Sequence, residues 1–193
     1  MKTEFEAKFF PISKNIFRKL LKQNGAYLKQ KETLMRRVIY QLADGQLKKW
    51  LRVRDEGNKT TITIKEIINP NAIDGVREIE INTDDFQKTR HLFDVMGLTL
   101  NSYQENYREV WELDGAIITI DTWPGLDPVL EIESTSAEHV KEIIKMLNLD
   151  ENDALYGAVD TLYQMKYGIS SHVFNSIQHV AFETIDSIMQ NIR

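Results

Sequence analysis

The chain has 193 residues, of which 42% are hydrophobic, and its formal net charge at pH 7 is −5. This length suffices for one substantial domain with a buried core. The sequence contains no cysteine, which excludes disulfides and thiolate chemistry, and it lacks an apolar run of 18 residues that could span a membrane. We therefore expect a cytoplasmic protein that binds neither membranes nor duplex nucleic acid, since an acidic chain suits the latter poorly.

The first half of the chain is predicted to form one strand, one helix and three further strands. Charged and apolar residues alternate over 4–9, which is typical of a strand. Apolar residues then recur at helical spacing over 13–25. Turn signals at Asp44-Gly45 and at 55–57 separate the strands that follow.

The second half is predicted to repeat this order. A strand at 78–81 precedes a helix between Thr83 and Gly97, and three strands come next. A further helix is predicted to begin after Ser136. The shared order of elements suggests two degenerate halves that close one barrel.

Two more helices are predicted at the C-terminal end, over 153–167 and 171–191. Apolar residues of the second one recur close to helical spacing: Val173, Ile177, Val180, Ile185, Ile188 and Ile192. We expect this helix to pack on the outside of the domain or across a homodimer, without contributing catalytic groups. The chain is therefore divided into a domain of residues 1–168 and a C-terminal helical extension of residues 169–193.

Most of the predicted strands carry apolar side chains on one face and charged side chains on the other, because neighbours alternate along a strand. An ordinary exposed sheet permits this pattern, but its polar face would mix Ser, Thr, Gln and Lys. A closed barrel with a charged interior, covered by helices outside, fits better, and the fold class is α+β. Buried charges must pair with one another, bind metal or meet a charged ligand. The interior therefore indicates a function.

The charged motifs, in chain order, are Glu4-x-Glu6-x-Lys8, Leu51-Arg52-Val53-Arg54, Ile64-Lys65, Glu78-x-Glu80, Arg108, Asp121 and Glu131-x-Glu133. Taken in this order, they resemble those of the CYTH superfamily, the triphosphate tunnel metalloenzymes. The family includes class IV adenylate cyclases, thiamine triphosphatases, inorganic triphosphatases and fungal RNA triphosphatases. The resemblance covers roughly residues 1–168 and implies an eight-stranded antiparallel tunnel that binds a triphosphate with a divalent metal. One departure is Asn106, where the family often has a basic residue.

The resemblance implies a role for each charged residue. The cations expected to bind the triphosphate are Lys8, Arg52, Arg54, Lys65 and Arg108. The carboxylates expected to bind Mg²⁺ or Mn²⁺ are Glu4, Glu6 and Glu133, with Glu131 and Asp121 completing the shell. The groups expected to act in catalysis are Glu78, Glu80 and Lys65.

Two tryptophans receive expectations of their own. Trp50 shares a face with Arg52 and Arg54, so we expect it at the tunnel mouth, where it could stack on an organic group of the substrate. An ordinary packing role against neighbouring side chains is the alternative. Trp123 is expected to pack under helices.

Within this class we favour a metal-dependent phosphohydrolase acting on tripolyphosphate, thiamine triphosphate or a nucleoside triphosphate. A class IV adenylate cyclase is the close alternative, in which the 3′-hydroxyl of ATP attacks the α-phosphate and expels pyrophosphate. A noncatalytic module that binds polyphosphate or nucleotide is a third alternative. The presence of the carboxylates Glu4, Glu6, Glu131 and Glu133 disfavours this module.

Overall fold

The computed structural model describes residues 1–42 and 48–192, and the predicted turn at Asp44-Gly45 lies outside them. Its centre is a closed barrel of eight antiparallel strands. The strands are β1 (Lys2–Phe9), β2 (Tyr27–Gln41), β3 (Lys49–Asp55), β4 (Thr60–Ile67), β5 (Val76–Thr83), β6 (Thr99–Leu113), β7 (Ala116–Thr122) and β8 (Val129–Ser134).

The strands follow the order β2-β3-β4-β5-β1-β8-β7-β6 around the barrel, and β6 pairs with β2 to close it. Closure leaves the two faces of the sheet in different environments, because one faces a narrow interior and the other faces the helices. Both the α+β class and the eight-stranded antiparallel barrel predicted from the sequence are confirmed.

Helices cover the outside of the barrel. Their order relative to the strands confirms the two matching halves, each with one strand, one helix and three strands. Among the described residues, no helix is long and apolar enough to cross a membrane. The helices are α1 (Lys14–Gln23), α2 (Phe86–Val95), α3 (Ala137–Met146), α4 (Asp160–Tyr167), α5 (Ser171–Asn175) and α6 (Ile185–Ile192).

The predicted start of α3 is confirmed in detail. Ser136 is its N-cap, and the Ser136 side chain accepts a hydrogen bond from the backbone N–H of His139. Helices α1 and α3 pack on β1, β6, β7 and β8, burying Leu21, Trp111 and Ile143 in one core cluster. These contacts explain why the outward faces of those strands are apolar.

The predicted helix over 153–167 is wrong in its first half. The structure has a short 3-10 turn at Glu151–Asp153, and α4 begins at Asp160. Between them the backbone of Leu155 pairs with that of Lys8, through N···O distances of 2.8 and 2.9 Å. The backbone groups at this point of β1 therefore take a partner from the C-terminal part of the chain, which local spacing could not predict.

The single helix predicted over 171–191 is also wrong. The structure has α5, a short strand β9 (His179–Val180) and α6 in its place. Strand β9 runs parallel to β6 at Tyr103 and Gln104. Because β7 pairs with β6 only from Tyr107 onwards, β9 takes part of the edge that β7 leaves free. The spacing of the apolar residues favours a helix, but pairing with the free backbone groups of that edge stabilises a strand at residues 179–180.

Candidate active site

A cavity of about 370 Å³ runs inside the barrel, and side chains from seven of the eight barrel strands line it. The alternation of the strands directs these side chains inwards. Of the residues predicted for the site, only Asp121 is absent from the cavity lining, because it is fully buried behind Arg108. The structure brings the others together: Glu4, Glu6, Lys8, Trp50, Arg52, Arg54, Lys65, Glu78, Glu80, Arg108, Glu131 and Glu133.

Four arginines form one side of the cavity, and we call Arg37, Arg52, Arg54 and Arg108 the arginine cluster. Burial and the like charges of Arg54 and Arg52 hold the pKa of Arg37 well below its usual range. Burial, together with the charge of Arg54, lowers the pKa of Arg52 to about 10. Buried charges of the same sign destabilise a protein unless an anion binds among them.

Two of these guanidinium groups have N–H donors that find no acceptor among the described residues. The Nε atoms of Arg37 and Arg52 are buried and make no hydrogen bond with any residue that the structure describes. Unsatisfied buried donors are rare in native proteins and need an explanation. An anionic ligand with several oxygens would supply the missing acceptors and reduce the repulsion.

Carboxylates and a hydroxyl hold two members of the cluster in place. Arg54 donates to Glu56 from Nε at 2.9 Å and from Nη2 at 2.5 Å. Arg52 donates to the hydroxyl of Thr63 at 3.0 Å and lies 3.5 Å from Glu80. These contacts fix the guanidinium planes before any ligand binds.

Arg108 is clamped between two acids. Its Nε lies 2.7 Å from Oδ1 of Asp121, and its Nη2 lies 2.8 Å from Oε2 of Glu131. Burial works against the charged form of Arg108, but the charges of Asp121 and Glu131 outweigh it and raise its pKa. Asp121 thus orients Arg108 in this structure, and its predicted place in a metal shell stays a prediction.

Three carboxylates form the opposite side of the cavity, and we call Glu4, Glu6 and Glu133 the carboxylate cluster. Glu6 and Glu133 are direct cross-strand partners on β1 and β8. Burial, and then the charge of Glu4, raises the pKa of Glu133, with a further contribution from Glu6. The charges of Glu4 and Glu6 therefore both act against the ionised form of Glu133.

Two lysines lie between the clusters. Lys65 lies 2.7 Å from an oxygen of Glu4 and 3.5 Å from Glu78. Lys8 lies 2.6 Å from Glu6 and 3.9 Å from Glu131. Each lysine is thus paired with a carboxylate that the sequence analysis assigned to metal binding or catalysis.

The carboxylate cluster offers the oxygen ligands of a divalent-cation site. Over residues 1–42 and 48–192, no three acidic or histidine side chains are placed to hold one ion together. The reason is local, because Glu4 is turned towards Lys65 and Glu6 towards Lys8. Repelling carboxylate oxygens are nevertheless the donor set that Mg²⁺ and Mn²⁺ prefer, so the residues fit the ion chemically.

The C-terminal part of the chain also lines the cavity. Residues 157–160 and the end of α5, Phe174 and Asn175, form part of its wall. The side-chain amide of Asn101 on β6 donates to the backbone carbonyl of Asn175 at 3.1 Å, which joins α5 to the barrel. Sequence reasoning gave this segment a packing role and did not place it at the cavity.

Arg37 was missed by the sequence analysis, although it lies directly opposite Arg54 on the neighbouring strand. A signal existed in the arginine pair at 36 and 37 inside a predicted strand. Trp123 packs in the apolar cluster of the C-terminal helices, as expected, but it also faces the cavity. There the guanidinium of Arg37 lies over its ring.

Comparison with known proteins identifies the family. The family model of the CYTH domain matches residues 2–160. The chain belongs to the CYTH family. Members of this family are metal-dependent and are typically triphosphatases or adenylate cyclases. Comparison with curated proteins gives no match.

Solved structures support the same fold. A conserved hypothetical protein from Pyrococcus furiosus is 27% identical, with a TM-score of 0.66 over 79% of this chain and 94% of that chain. An adenylate cyclase candidate from Vibrio parahaemolyticus is 14% identical, with a TM-score of 0.71 over 84% and 98%. An adenylyl cyclase candidate from Hippeastrum, described with a dominant triphosphatase activity, is 20% identical, with a TM-score of 0.56 over 86% and 96%.

Proposed function

We propose that this CYTH protein is a cytoplasmic, divalent-metal-dependent phosphohydrolase that cleaves a triphosphate bound inside the barrel. The observation that carries the proposal is the arginine cluster. Four guanidinium groups share one wall, three of them buried and that of Arg108 mostly so, and two of them hold Nε donors without a partner among the described residues. A triphosphate carries several negative charges along its length, so it can satisfy these donors together where a monophosphate cannot.

The carboxylate cluster is the proposed place of the metal. Glu4, Glu6 and Glu133 would hold Mg²⁺ or Mn²⁺, which would neutralise phosphate oxygens and so assist cleavage. The pairings of Glu131 and Asp121 with Arg108 support a first role for these two acids in positioning that arginine. We also propose that Glu131 and Asp121 complete the shell of ligands around the metal.

The lysines connect the two clusters. In the ligand-free arrangement Lys65 and Lys8 neutralise Glu4 and Glu6. If Glu4 and Glu6 held a cation, both ammonium groups would be available to a phosphate chain bound between the clusters. Metal and triphosphate would therefore support each other's binding, because each one satisfies charges that the other leaves unpaired.

Hydrolysis also needs a water held in line with the bond that breaks. Glu78 and Glu80 line the cavity beside Lys65 and Arg52, respectively. Their carboxylates are the groups we assign to orienting that water, and Lys65 is assigned to the phosphate oxygens that gain charge.

The adenylate cyclase reaction is the second candidate, and the position of Trp50 favours it. The ring of Trp50 lies at the cavity wall on the same strand face as Arg52 and Arg54, where it can stack on an adenine. The two reactions differ in their products, because a cyclase releases pyrophosphate and a cyclic nucleotide.

The deciding experiment is product analysis. The purified protein is incubated with tripolyphosphate, thiamine triphosphate and ATP, each with Mg²⁺ and with Mn²⁺. Orthophosphate release supports the proposal, and cyclic AMP with pyrophosphate would replace it with the cyclase. Binding of triphosphate without any product would indicate a noncatalytic module. Arg54→Ala serves as the inactive comparison, and Arg36→Ala, an exposed arginine on β2, is its matched control.

A further inference from the structure

The outer face of β4 and β5 is apolar, and part of it lies open to solvent. Four isoleucines form two direct cross-strand pairs there, Ile62 with Ile81 and Ile64 with Ile79. The two isoleucines of β4 are partly covered, because they pack against the cluster that contains Phe86 of α2. Ile79 and Ile81 of β5 are 52% and 58% exposed. We call these four residues the isoleucine face.

The second half of β5 is paired with another strand on one side only. Its pairing with β4 extends over the whole strand, from Val76 to Thr83. Its pairing with β1 ends at Glu78, which lies opposite Lys2. Among the described residues, the stretch from Ile79 to Thr83 therefore has a strand neighbour on the β4 side alone. Exposed apolar side chains on a half-paired strand favour association with another chain.

Two charges of opposite sign flank the isoleucine face. Arg77 precedes it on β5, and Asp84 follows it at the bend before α2. Both residues are exposed, and neither forms an ion pair with any residue of 1–42 or 48–192. The isoleucine face therefore has an unpaired cation at one end and an unpaired anion at the other.

The charges next to these two residues are already paired within the chain. Glu66 on β4 lies 3.9 Å from the ammonium of Lys49. Asp85, the N-cap of α2, lies 3.4 Å from Lys88. Neither pair leaves a charge that could neutralise the flanking cation or anion. A partner that covers the isoleucine face must therefore present the opposite charges in the opposite order.

We infer that the isoleucine face is the interface of a homodimer, in which two copies of the chain pack face to face with their β5 strands antiparallel. Ile79 and Ile81 lie near the middle of the stretch from Arg77 to Asp84, which spans roughly 23 Å at about 3.3 Å per residue. A two-fold axis through this midpoint brings Arg77 of each copy to Asp84 of the other. A second copy thus supplies both the apolar surface and the matching charges by symmetry.

The interface lies on the same strand as part of the cavity wall. Glu78 and Glu80 line the cavity from the inward side of β5, while Ile79 and Ile81 face outwards. Dimerisation through the isoleucine face would therefore stabilise the position of two carboxylates in the cavity. The homodimer itself does not depend on the proposed function.

Sedimentation velocity of the full chain, over a wide range of protein concentrations, tests the inference. The unmodified protein should form a dimer that dissociates on dilution. Ile81→Lys should raise the dimer dissociation constant about tenfold or more, because it places a charge in the apolar centre of the interface. Ile16→Lys, which changes an isoleucine of α1 that is 65% exposed, should leave the constant unchanged. Circular dichroism checks that both variants are folded.

Exchange of the flanking charges tests the antiparallel arrangement. Arg77→Asp and Asp84→Arg should each weaken dimerisation by about 3- to 10-fold, because like charges then meet twice in each homodimer. An equimolar mixture of the two variants should associate as the unmodified protein does. In the mixed dimer, every contact between the flanking residues again joins opposite charges.

Any one of three results would overturn the inference. The first is a monomer at every concentration of the unmodified protein. The second is a dimer that Ile81→Lys leaves intact, which would place the interface on another surface. The third is a mixture of Arg77→Asp and Asp84→Arg that associates no better than either variant alone, because the two β5 strands would then not meet in antiparallel order. None of these results depends on catalysis, so each leaves the proposed function untouched.

Discussion

The guanidinium carbon of Arg37 lies 4.5 Å from the centre of the Trp123 ring, so a buried cation stacks on an aromatic face at the wall of the cavity. Arg37 also donates to the side-chain carbonyl of Asn106. These two contacts orient its guanidinium while leaving Nε without a partner among the described residues. Asn106 stands where the family often has a basic residue, so Arg37 offers a cation from the neighbouring strand at that position.

This arrangement predicts an unusual pair of effects for Arg37→Met. Binding of triphosphate should weaken about 10- to 100-fold, because a charge-assisted contact is lost. The free energy of unfolding without ligand should fall by no more than about 1 kcal/mol, since the change also removes repulsion from Arg52 and Arg54. Calorimetry with tripolyphosphate and urea unfolding measure the two effects.

The matched control is Arg36→Met, which removes an exposed arginine from the neighbouring position of β2. Its side chain lies 3.9 Å from Asp55 at the surface, so little change is expected in either measurement. Unchanged affinity in Arg37→Met would place Arg37 outside the binding site.

A second prediction concerns the carboxylate cluster. Glu133→Gln should lower the affinity for Mn²⁺ roughly tenfold or more, because one ligand charge is removed. Since burial and Glu4 raise the pKa of Glu133, its ionised form costs stability at neutral pH, and the variant should unfold at a higher temperature without metal.

Thermal unfolding with and without Mn²⁺ checks both parts of this prediction. The unmodified protein should gain more stability from the ion than Glu133→Gln does. Glu138→Gln, an exposed substitution on α3, should behave like the unmodified protein. An equal gain in all three proteins would show that Glu133 does not hold the ion.

The inward-facing charges could be predicted because most barrel strands alternate cleanly. In β1 the residues Glu6 and Lys8 are separated by Ala7, which is buried in the outer core. Strand β2 lacks this contrast, since Val38 and Tyr40 face the outer core while Ile39 lines the cavity beside Arg37. Because β2 has apolar residues on both faces, its sequence shows no clear alternation, and Arg37 could not be assigned to the barrel interior.

The C-terminal segment could not be predicted because its structure depends on distant parts of the chain. The apolar residues Ile177 and Val180 are both buried, and their spacing of three residues suits one helix. The bare edge of β6 at Tyr103 nevertheless draws His179 and Val180 into a strand. The backbone N–H of Tyr103 donates to the backbone carbonyl of Gln178, which lies 75 residues later in the chain. The spacing of neighbouring residues carries no information about a hydrogen bond between such distant positions.

Acid should weaken the support that Glu56 gives to Arg54. Burial alone would raise the pKa of Glu56, but the charge of Arg54 and its hydrogen bonds outweigh burial and lower the pKa below the ordinary 4.5. A carboxyl with a lowered folded pKa adds stability above its unfolded pKa, and this contribution is lost as the pH falls through the folded pKa.

Glu56→Gln should therefore lower the free energy of unfolding by about 1 to 3 kcal/mol at pH 7. The difference from the unmodified protein should shrink as the pH falls below 4.5, the ordinary pKa of the group. Urea unfolding at pH 7, 5 and 3 measures the trend, with the exposed substitution Glu183→Gln as control. A difference that stays constant across this range would mean that Glu56 is not ionised in its pair with Arg54.

The last prediction concerns how the C-terminal segment is held against the loop after β7. Gly125 has a φ of +73°, and a Cβ there would lie 2.7 Å from the hydroxyl of Tyr167 and 3.2 Å from Ile185. Gly168 has a φ of +72° with nothing within 4 Å of its Cβ position, so both glycines carry the same backbone strain on substitution by alanine. Gly125→Ala should therefore reduce the free energy of unfolding by about 1 to 3 kcal/mol more than Gly168→Ala. Chemical unfolding of the two variants measures this difference. Equal losses would mean that α6 and Tyr167 do not pack on the loop at Gly125, and the position of the C-terminal segment would then need another explanation.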